Sequence, residues 1–256
     1  MKLSILMPIY NEIATIEAVL NLVGSALDGV EKELVLVDDG SKDGTRDVLE
    51  RLFGPATRES EIVAQGTAIA KERPFKSKCA VRLVFHDVNK GKGGAIRSAM
   101  SVCTGDVIVI QDADLEYDPA DWEPMYDLIA RRRVADVVYG SRFYGKAHRS
   151  LYFHHYLANR LISTLFNLLY NQTLTDIEVC YKMFTRAVLK TLTVTCNDFG
   201  LEVQISAQIA LARRWRIYEL GIHYFGRTYD EGKKINWKDG VKALWYLVKF
   251  RVSPGK

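Results

Sequence analysis

A chain of 256 residues, 48% hydrophobic and 26% charged, is long enough to bury a full core and too apolar for global disorder. Its 18 Gly and six Pro exclude collagen-like and low-complexity classes, and four scattered cysteines with no C-x-x-C pair argue against a zinc site or a disulfide framework and for a reducing compartment. The formal charge of +4 is uneven: Arg227 to Lys256 holds eight Lys/Arg and three acids, a net +5, which leaves −1 on the preceding residues and asks for an anionic partner of the basic end.

The N-terminus, MKLSILMPIYNE, lacks a cleavage site and reads as a first strand over Leu3–Met7, ended by Pro8. Apolar residues at 13, 16, 19, 20, 23 and 27 predict a helix within Glu12–Leu27. Strands follow at Glu33–Val37, Ala80–Phe85, Asp106–Ile110 and Asp136–Tyr139. Helices alternate with them at 44–53, 91–102 and 119–133, the last with Pro in its first turn and three Arg in its last. Residues 54–79 interrupt the rhythm as an extension or surface insert. Beyond Tyr152 the pattern becomes helical at 157–170, 201–212 and 237–250, with a strand-like run at 216–224. The longest uncharged run, Leu161 to Thr175, is fifteen residues, short of the roughly 20 apolar residues that span a bilayer.

Short apolar strands separated by helices predict an α/β fold with a mainly parallel sheet flanked by helices and a helical C-terminal elaboration. Ligands of such sheets bind beyond the carboxyl ends of the strands, so the polar residues placed there are the candidate site. After the first strand stand Pro8, Ile9, Tyr10, Asn11 and Glu12. After the second comes Val37-Asp38-Asp39-Gly40-Ser41-Lys42-Asp43-Gly44-Thr45, whose carboxylates suit ribose hydroxyls and whose glycines permit close backbone approach. The GKGG turn at 91–94 is no Walker A loop, because Gly93 stands where Ser or Thr is needed, yet a Gly-rich helix start with lysines such as Lys92 can meet phosphate. After the fourth strand, Asp112, Ala113, Asp114 and Glu116 place three carboxylates at alternate positions of extended chain, which predicts convergence on a hard divalent cation, Mg²⁺ or Mn²⁺.

Pro-x-Tyr-Asn-Glu, VDDGSKDGT, GKGG and the DAD after a strand, in that order, resemble family 2 glycosyltransferases of the GT-A (Rossmann-like) fold, and more closely the dolichol- or polyprenol-phosphate mannosyl- and glucosyltransferases. Gly140-Ser141-Arg142 is similar to their G-[ST]-R, and Arg227–Lys234 to their R-x-x-G-x-S-K segment. The resemblance implies a nucleotide-diphosphate sugar donor of the UDP-glucose or GDP-mannose type. It implies donor contacts from Pro8, Tyr10, Asn11, Glu12, Val37, Asp39, Lys92, Asp112, Ala113 and Asp114, a metal on Asp112, Asp114 and Glu116, and inversion at the sugar C1. It also implies a GT-A catalytic domain over 1–226, with a nucleotide-binding half at 1–145 and an acceptor half at 146–226, followed by a basic segment at 227–256.

A saccharide hydroxyl acceptor needs a general base, for which Asp176, Glu178 and Glu202 are candidates. A polyprenyl phosphate is already anionic and needs cations, for which the later chain offers Arg142, Arg149, Lys182, Arg227, Lys233 and Lys234. Arg142 ranks first, since Arg binds phosphate bidentately. Asp176 falls where the family has an acid in D-x-x-x-G-F-[KR], although Cys180 here replaces the Gly. Asp112, Asp114, Arg142 and Asp176 are therefore the expected catalytic set. In the last helix Trp237, Val241, Leu244 and Val248 share a face beside Lys238, Lys242 and Lys249, with Trp245 between, the pattern of a helix lying on an anionic membrane. The expectation is a metal-dependent hexosyltransferase at the cytoplasmic face of a membrane, attached peripherally, with no nucleic-acid partner. A family 2 enzyme with a saccharide acceptor is the alternative. A nucleotidyltransferase would open with a Gly-rich basic loop that PIYNE lacks, and a non-catalytic nucleotide-sugar binder need not keep the carboxylates at 112, 114 and 116.

Overall fold

The computed structural model describes residues 1–54, 57–58, 79–150, 152–198, 200–228, 230–231 and 237–255. Most of the expected insert at 54–79 lies outside the described residues. The strands are β1 (Leu3–Ile9), β2 (Lys32–Asp38), β3 (Thr57–Arg58), β4 (Cys79–Phe85), β5 (Val107–Ile110), β6 (Val137–Ser141), β7 (Lys182–Thr185) and β8 (Ile217–Gly221). They form one sheet in the order β3-β4-β2-β1-β5-β7-β6-β8. All pairings are parallel except those of β7 with β5 and β6. Helices α1 (Ile16–Ser25), α2 (Thr45–Phe53), α3 (Lys92–Val102) and α4 (Trp122–Tyr126) connect the first strands. Then come α5 (Phe153–Tyr170), α6 (Arg186–Leu189), α7 (Gly200–Ala212) and α8 (Trp237–Val252).

β2 and β5 are buried along their whole length, as expected for the centre of a sheet covered on both faces. Each fully buried Leu, Val or Ile there contributes about 1.5–3 kcal/mol. Parallel pairing brings the ends of β1 and β2 level, Ile9 opposite Asp38, and sets Leu6 opposite Ile110 of β5. The loops after β1, β2, β5 and β6 therefore share one edge. Every polar cluster singled out after a strand is carried to that edge.

Besides the short β3 and α6, which were not expected, two elements differ from the sequence reading. The helix expected at 119–133 is a 3-10 turn (Pro119–Asp121), then α4, then a π turn (Asp127–Arg131). Pro124 within α4 has no N–H to donate to the preceding turn, which breaks the regular ladder. β7 was not expected as a strand: it is four residues long and begins with a lysine. The four cysteines are free thiols. Among the described residues no helix is long and apolar enough to cross a membrane.

Candidate active site

A cleft of about 1200 Å³ opens at the carboxyl edge of the sheet. One half is polar and includes Pro8, Tyr10, Glu12, Asp39, Lys92, Asp112, Ala113, Asp114 and Glu116. The other is formed by the 142–162 segment and α8, with Phe143, Tyr152, Phe153, Tyr156 and Leu244 among its walls. Arg142 and Arg227 also line it.

The first two loops are clamped to each other. Asn11, in the left-handed region at φ 53°, donates its backbone N–H to Ser41 Oγ at 2.9 Å and accepts from Lys42 N through Oδ1 at 2.8 Å. Glu12 N donates to Thr45 Oγ1 at 3.0 Å. Gly40, at φ +76°, lies so close to Val88 and Asn89 that a Cβ would meet their backbone at 3.0–3.1 Å. Asp39 is buried, and its Oδ1 accepts from Lys90 N at 2.8 Å and faces His86 Nδ1 at 2.6 Å. Asp38 is held by Arg46, whose Nε and Nη2 donate to Oδ2 at 2.9 and 2.6 Å. Asn11 and Val37 do not line the cleft. Asn11 fastens one loop to the other, and Val37 is core, so both depart from the donor contacts expected of them.

The GKGG turn serves packing first. A Cβ on Gly93 would stand 1.8 Å from Cys196 O, and Gly93 N donates to Asn197 O at 3.0 Å. This close approach starts α3 where the Lys92 ammonium reaches Asp112, at 2.8 Å from Oδ1. The same ammonium is 3.1 Å from Glu202 Oε1 on α7. Lys92 holds its proton well above the usual range: burial opposes the charge, but Asp112, Cys180 and Glu202 outweigh it.

The three carboxylates expected to converge do not. Asp112 faces Lys92, whereas Asp114 Oδ2 accepts from Arg227 Nη2 at 2.6 Å. Glu116 Oε1 accepts from Arg227 N and Nε at 3.0 and 3.2 Å, and its Oε2 accepts from the Tyr224 hydroxyl at 3.1 Å. Arg227 Nη1 also lies 3.8 Å from Glu12 Oε2. Among the described residues no three His, Cys, Asp or Glu side chains group as metal ligands. Two cationic side chains offset only part of the negative charge here: Lys92 takes Asp112, and Arg227 bridges Asp114 and Glu116. Burial, then the charges of Asp112 and Glu116, push the Asp114 carboxyl up to about 7 despite Arg227. Such an excess of negative charge, carried by hard oxygen donors, fits a divalent cation at Asp112 and Asp114.

Arg142 and Asp176 form one unit. Asp176 Oδ2 accepts from Arg142 N at 3.1 Å and Nε at 2.7 Å, and Oδ1 accepts from Nη2 at 2.8 Å and from Asn159 Nδ2 at 3.2 Å. The guanidinium sits over the Tyr224 ring at 5.3 Å. Asp176 is fully buried and does not line the cleft. Burial works to raise its carboxyl, but Arg142 holds it below the usual range. A carboxylate so held is a poor proton acceptor, which corrects the expectation of Asp176 as base. Glu178 is the contrast: it lines the cleft, and burial pushes its carboxyl up to about 7.

Lys182 departs from its expected acceptor role. It begins β7 fully buried, with its ammonium bonded to Val179 O and Glu202 Oε2. Lys233 and Lys234 lie outside the described residues. Arg149 lines the cleft and pairs with Glu231 at 2.6 Å. Cys180, in place of the expected Gly, buries its thiol 3.8 Å from Ile110 O beneath the end of β5. The sequence reading did not single out His86, nor the contacting rings of Tyr117, Tyr181 and Tyr224, the first two stacked and the third tilted. A histidine directly after a strand end was the available signal for the first. No local pattern marks the tyrosines.

Strands that deliver carboxylates to one edge, beside a cleft with cationic walls, are the arrangement of an α/β fold of the GT-A type. A family model for glycosyl transferase family 2 matches residues 4–193, and the chain belongs to that family. It is similar to a dolichol-phosphate mannosyltransferase of Pyrococcus furiosus, 28% identical over 143 residues, covering 56% of this chain and 34% of that protein. It is also similar to glycosyltransferase AglJ of Haloferax volcanii, 26% identical over 207 residues, covering 80% of this chain and 57% of that protein. The chain thus spans between a third and three fifths of the length of these curated relatives. Among solved structures, glucosyl-3-phosphoglycerate synthase from Mycobacterium tuberculosis, in complex with Mn²⁺, UDP and glucosyl-3-phosphoglycerate, superposes with a TM-score of 0.67. That pair is 18% identical, over 97% of this chain and 79% of the other, a likeness of fold.

Proposed function

We propose that this protein is an inverting, divalent-metal-dependent hexosyltransferase. It moves a sugar from a nucleotide diphosphate of the UDP-glucose or GDP-mannose type to a polyprenyl phosphate at the cytoplasmic face of a membrane. The observation that carries this reading is the two-sided cleft, with acids at the strand ends on one side and an aromatic and apolar wall from α5 and α8 on the other. The likeness to a dolichol-phosphate mannosyltransferase supports the acceptor, and the Mn²⁺ and UDP of the structural relative support the donor and cation. In this reading residues 1–145 bind donor, 146–226 together with Arg142 and Arg227 bind acceptor, and 227–256 add basic charge.

Asp39, steadied by His86 and Lys90 N, faces the nucleoside. Asp112 and Asp114 would hold the cation, which supplies charge neutralisation to the departing nucleotide. Lys92 adds a fixed positive charge beside them. Arg142 orients the acceptor phosphate: of its five N–H donors, two side-chain N–H groups are taken by Asp176. Phosphate arrives already anionic, so no side chain need remove a proton.

The membrane face is broader than the last helix. Phe153, Leu157, Leu161 and Leu168 of α5 and Val241, Trp245, Val248 and Val252 of α8 are exposed, Leu168 by 79% and Trp245 by 58%. Arg160, Lys242 and Arg251 are exposed beside them, and the Lys249 ammonium sits over the Trp245 ring at 5.0 Å. On α8 the outward stripe is 241, 245, 248 and 252, with Leu244 half-buried, so Trp245 lies within the apolar stripe rather than at its margin. The side chains of Trp237 and Lys238 lie outside the described residues. Apolar residues flanked by cations suit an anionic bilayer.

Glu178 favours a second reading, in which a saccharide hydroxyl attacks and a carboxylate titrating near neutrality takes its proton. One experiment separates them. Radiolabelled UDP- and GDP-sugars are incubated with the protein, Mn²⁺ or Mg²⁺, and either a polyprenyl phosphate or an oligosaccharide. Label entering an organic-soluble product supports the lipid acceptor; label entering only oligosaccharide overturns it.

A further inference from the structure

A chain of alternating charges runs from the middle of the sheet to the cleft. Lys182, at the start of β7, is fully buried and donates to Glu202 of α7. Glu202 is 4% exposed and presents its other oxygen, Oε1, 3.1 Å from the Lys92 ammonium, as an ion pair without hydrogen-bond geometry. Lys92 in turn reaches Asp112 Oδ1 at 2.8 Å and Oδ2 at 3.1 Å. β7, α7, α3 and the loop after β5 thus meet through four charges that sum to zero. Of the four, Lys92, Asp112 and Glu202 line the cleft and Lys182 does not.

Lys182 has no surface to act on, and a buried lysine without a partner is costly. Its only anionic hydrogen-bond partner among the described residues is Glu202. Glu202 therefore stands between two ammonium groups, one fixed in the core and one at the cleft. A flexible four-carbon side chain such as Lys92 would otherwise sample many rotamers. With Glu202 pinned from behind, Lys92 keeps an anchor when a diphosphate competes for Asp112.

We propose that Glu202 and Lys182 are positioning residues for Lys92, and that through it they set the preference of the cleft for a nucleoside diphosphate over the corresponding monophosphate. The proposal rests on the donor reading above. Lys92 is the group that meets the second phosphate. Glu202 aims it, and Lys182 holds Glu202 in place.

The test compares UDP with UMP, and GDP with GMP, by calorimetric titration with Mn²⁺ on the whole chain. The variants are Lys92→Met, Glu202→Gln and the double Lys182→Met/Glu202→Leu. The double variant removes both buried charges together, which keeps the fold because an apolar pair replaces an ion pair of similar volume at little cost. The diphosphate-to-monophosphate affinity ratio should fall about tenfold in each, the size of one charge-assisted hydrogen bond. Adding the double substitution to Lys92→Met should cause no further fall. A ratio is insensitive to the fraction of folded protein, so a merely structural role would leave it unchanged. A folded double variant with the wild-type ratio overturns the proposal while leaving the donor reading intact. A wild-type chain that binds no nucleoside diphosphate overturns both.

Discussion

Arg142 and Asp176 close a two-pronged ion pair, Nε to Oδ2 at 2.7 Å and Nη2 to Oδ1 at 2.8 Å, with the acid wholly out of solvent and the base at the wall of the cleft. Removing one member of such a pair strands a buried charge. Asp176→Asn should lower stability by about 3–5 kcal/mol, measured by denaturant unfolding. The double variant Arg142→Met/Asp176→Leu should recover much of that stability and yet transfer no sugar to polyprenyl phosphate. Transfer by the recovered double variant would remove Arg142 from the acceptor site.

Asp114 combines burial with two acidic neighbours. Asp114→Asn should cut turnover by more than about 100-fold, beyond the usual loss of an outer-shell partner. It should also abolish the dependence of UDP or GDP binding on added Mn²⁺, followed by titration before and after chelation. Nucleotide binding that still responds to the cation would exclude Asp114 as a ligand.

Arg227 occupies the space among Asp114, Glu116 and Glu12. One positive charge a few ångströms from a cation site is worth on the order of 1 kcal/mol or more. Arg227→Ala should therefore tighten Mn²⁺ binding without nucleotide by about tenfold, read from the free-ion paramagnetic resonance signal. The same change should raise the KM for the acceptor. Unchanged or weaker Mn²⁺ binding would show that the guanidinium does not stand in for the ion.

Glu178 carries a pH signature. Its carboxyl rises from an ordinary 4.5 to about 7 in the folded chain, chiefly through burial. Between those values the unfolded chain has lost the proton that the folded chain keeps, so stability falls as pH rises. Glu178→Gln should lessen the fall of the melting temperature across this window, the part due to Asp114 remaining, and be the more stable protein at its upper end. Transfer to a lipid phosphate should survive the substitution, whereas transfer to a saccharide hydroxyl should be lost.

The exposed stripe on α5 and α8 predicts binding to vesicles containing anionic lipid. Trp245→Glu and Leu168→Glu should each reduce co-sedimentation, and high salt should weaken it by screening the lysines. Equal binding by the variants in low salt would reject this face as the contact.

The order of strands and helices was legible because buried parallel strands must be short and apolar. The runs Leu3–Met7, Glu33–Val37 and Asp106–Ile110 read as strands, and the structure has strands there at Leu3–Ile9, Lys32–Asp38 and Val107–Ile110. That Asp39, Lys92, Asp112, Asp114 and Arg142 stand at the cleft was legible for a related reason: each follows a strand or opens the helix after one, at the carboxyl edge of the sheet. β7 was not legible. Its first residue is a lysine whose charge is cancelled by Glu202, twenty positions away.

The sequence by itself determined which side chains reach the edge of the sheet, since strand polarity and side-chain alternation act over a few residues. Only the tertiary structure decided what each charged group faces there. It gave Asp176 to Arg142, split Asp112 on Lys92 from Asp114 and Glu116 on Arg227, and buried Lys182 behind Glu202. Electrostatic energy depends on distance in space and on burial, and neither can be read from separation along the chain.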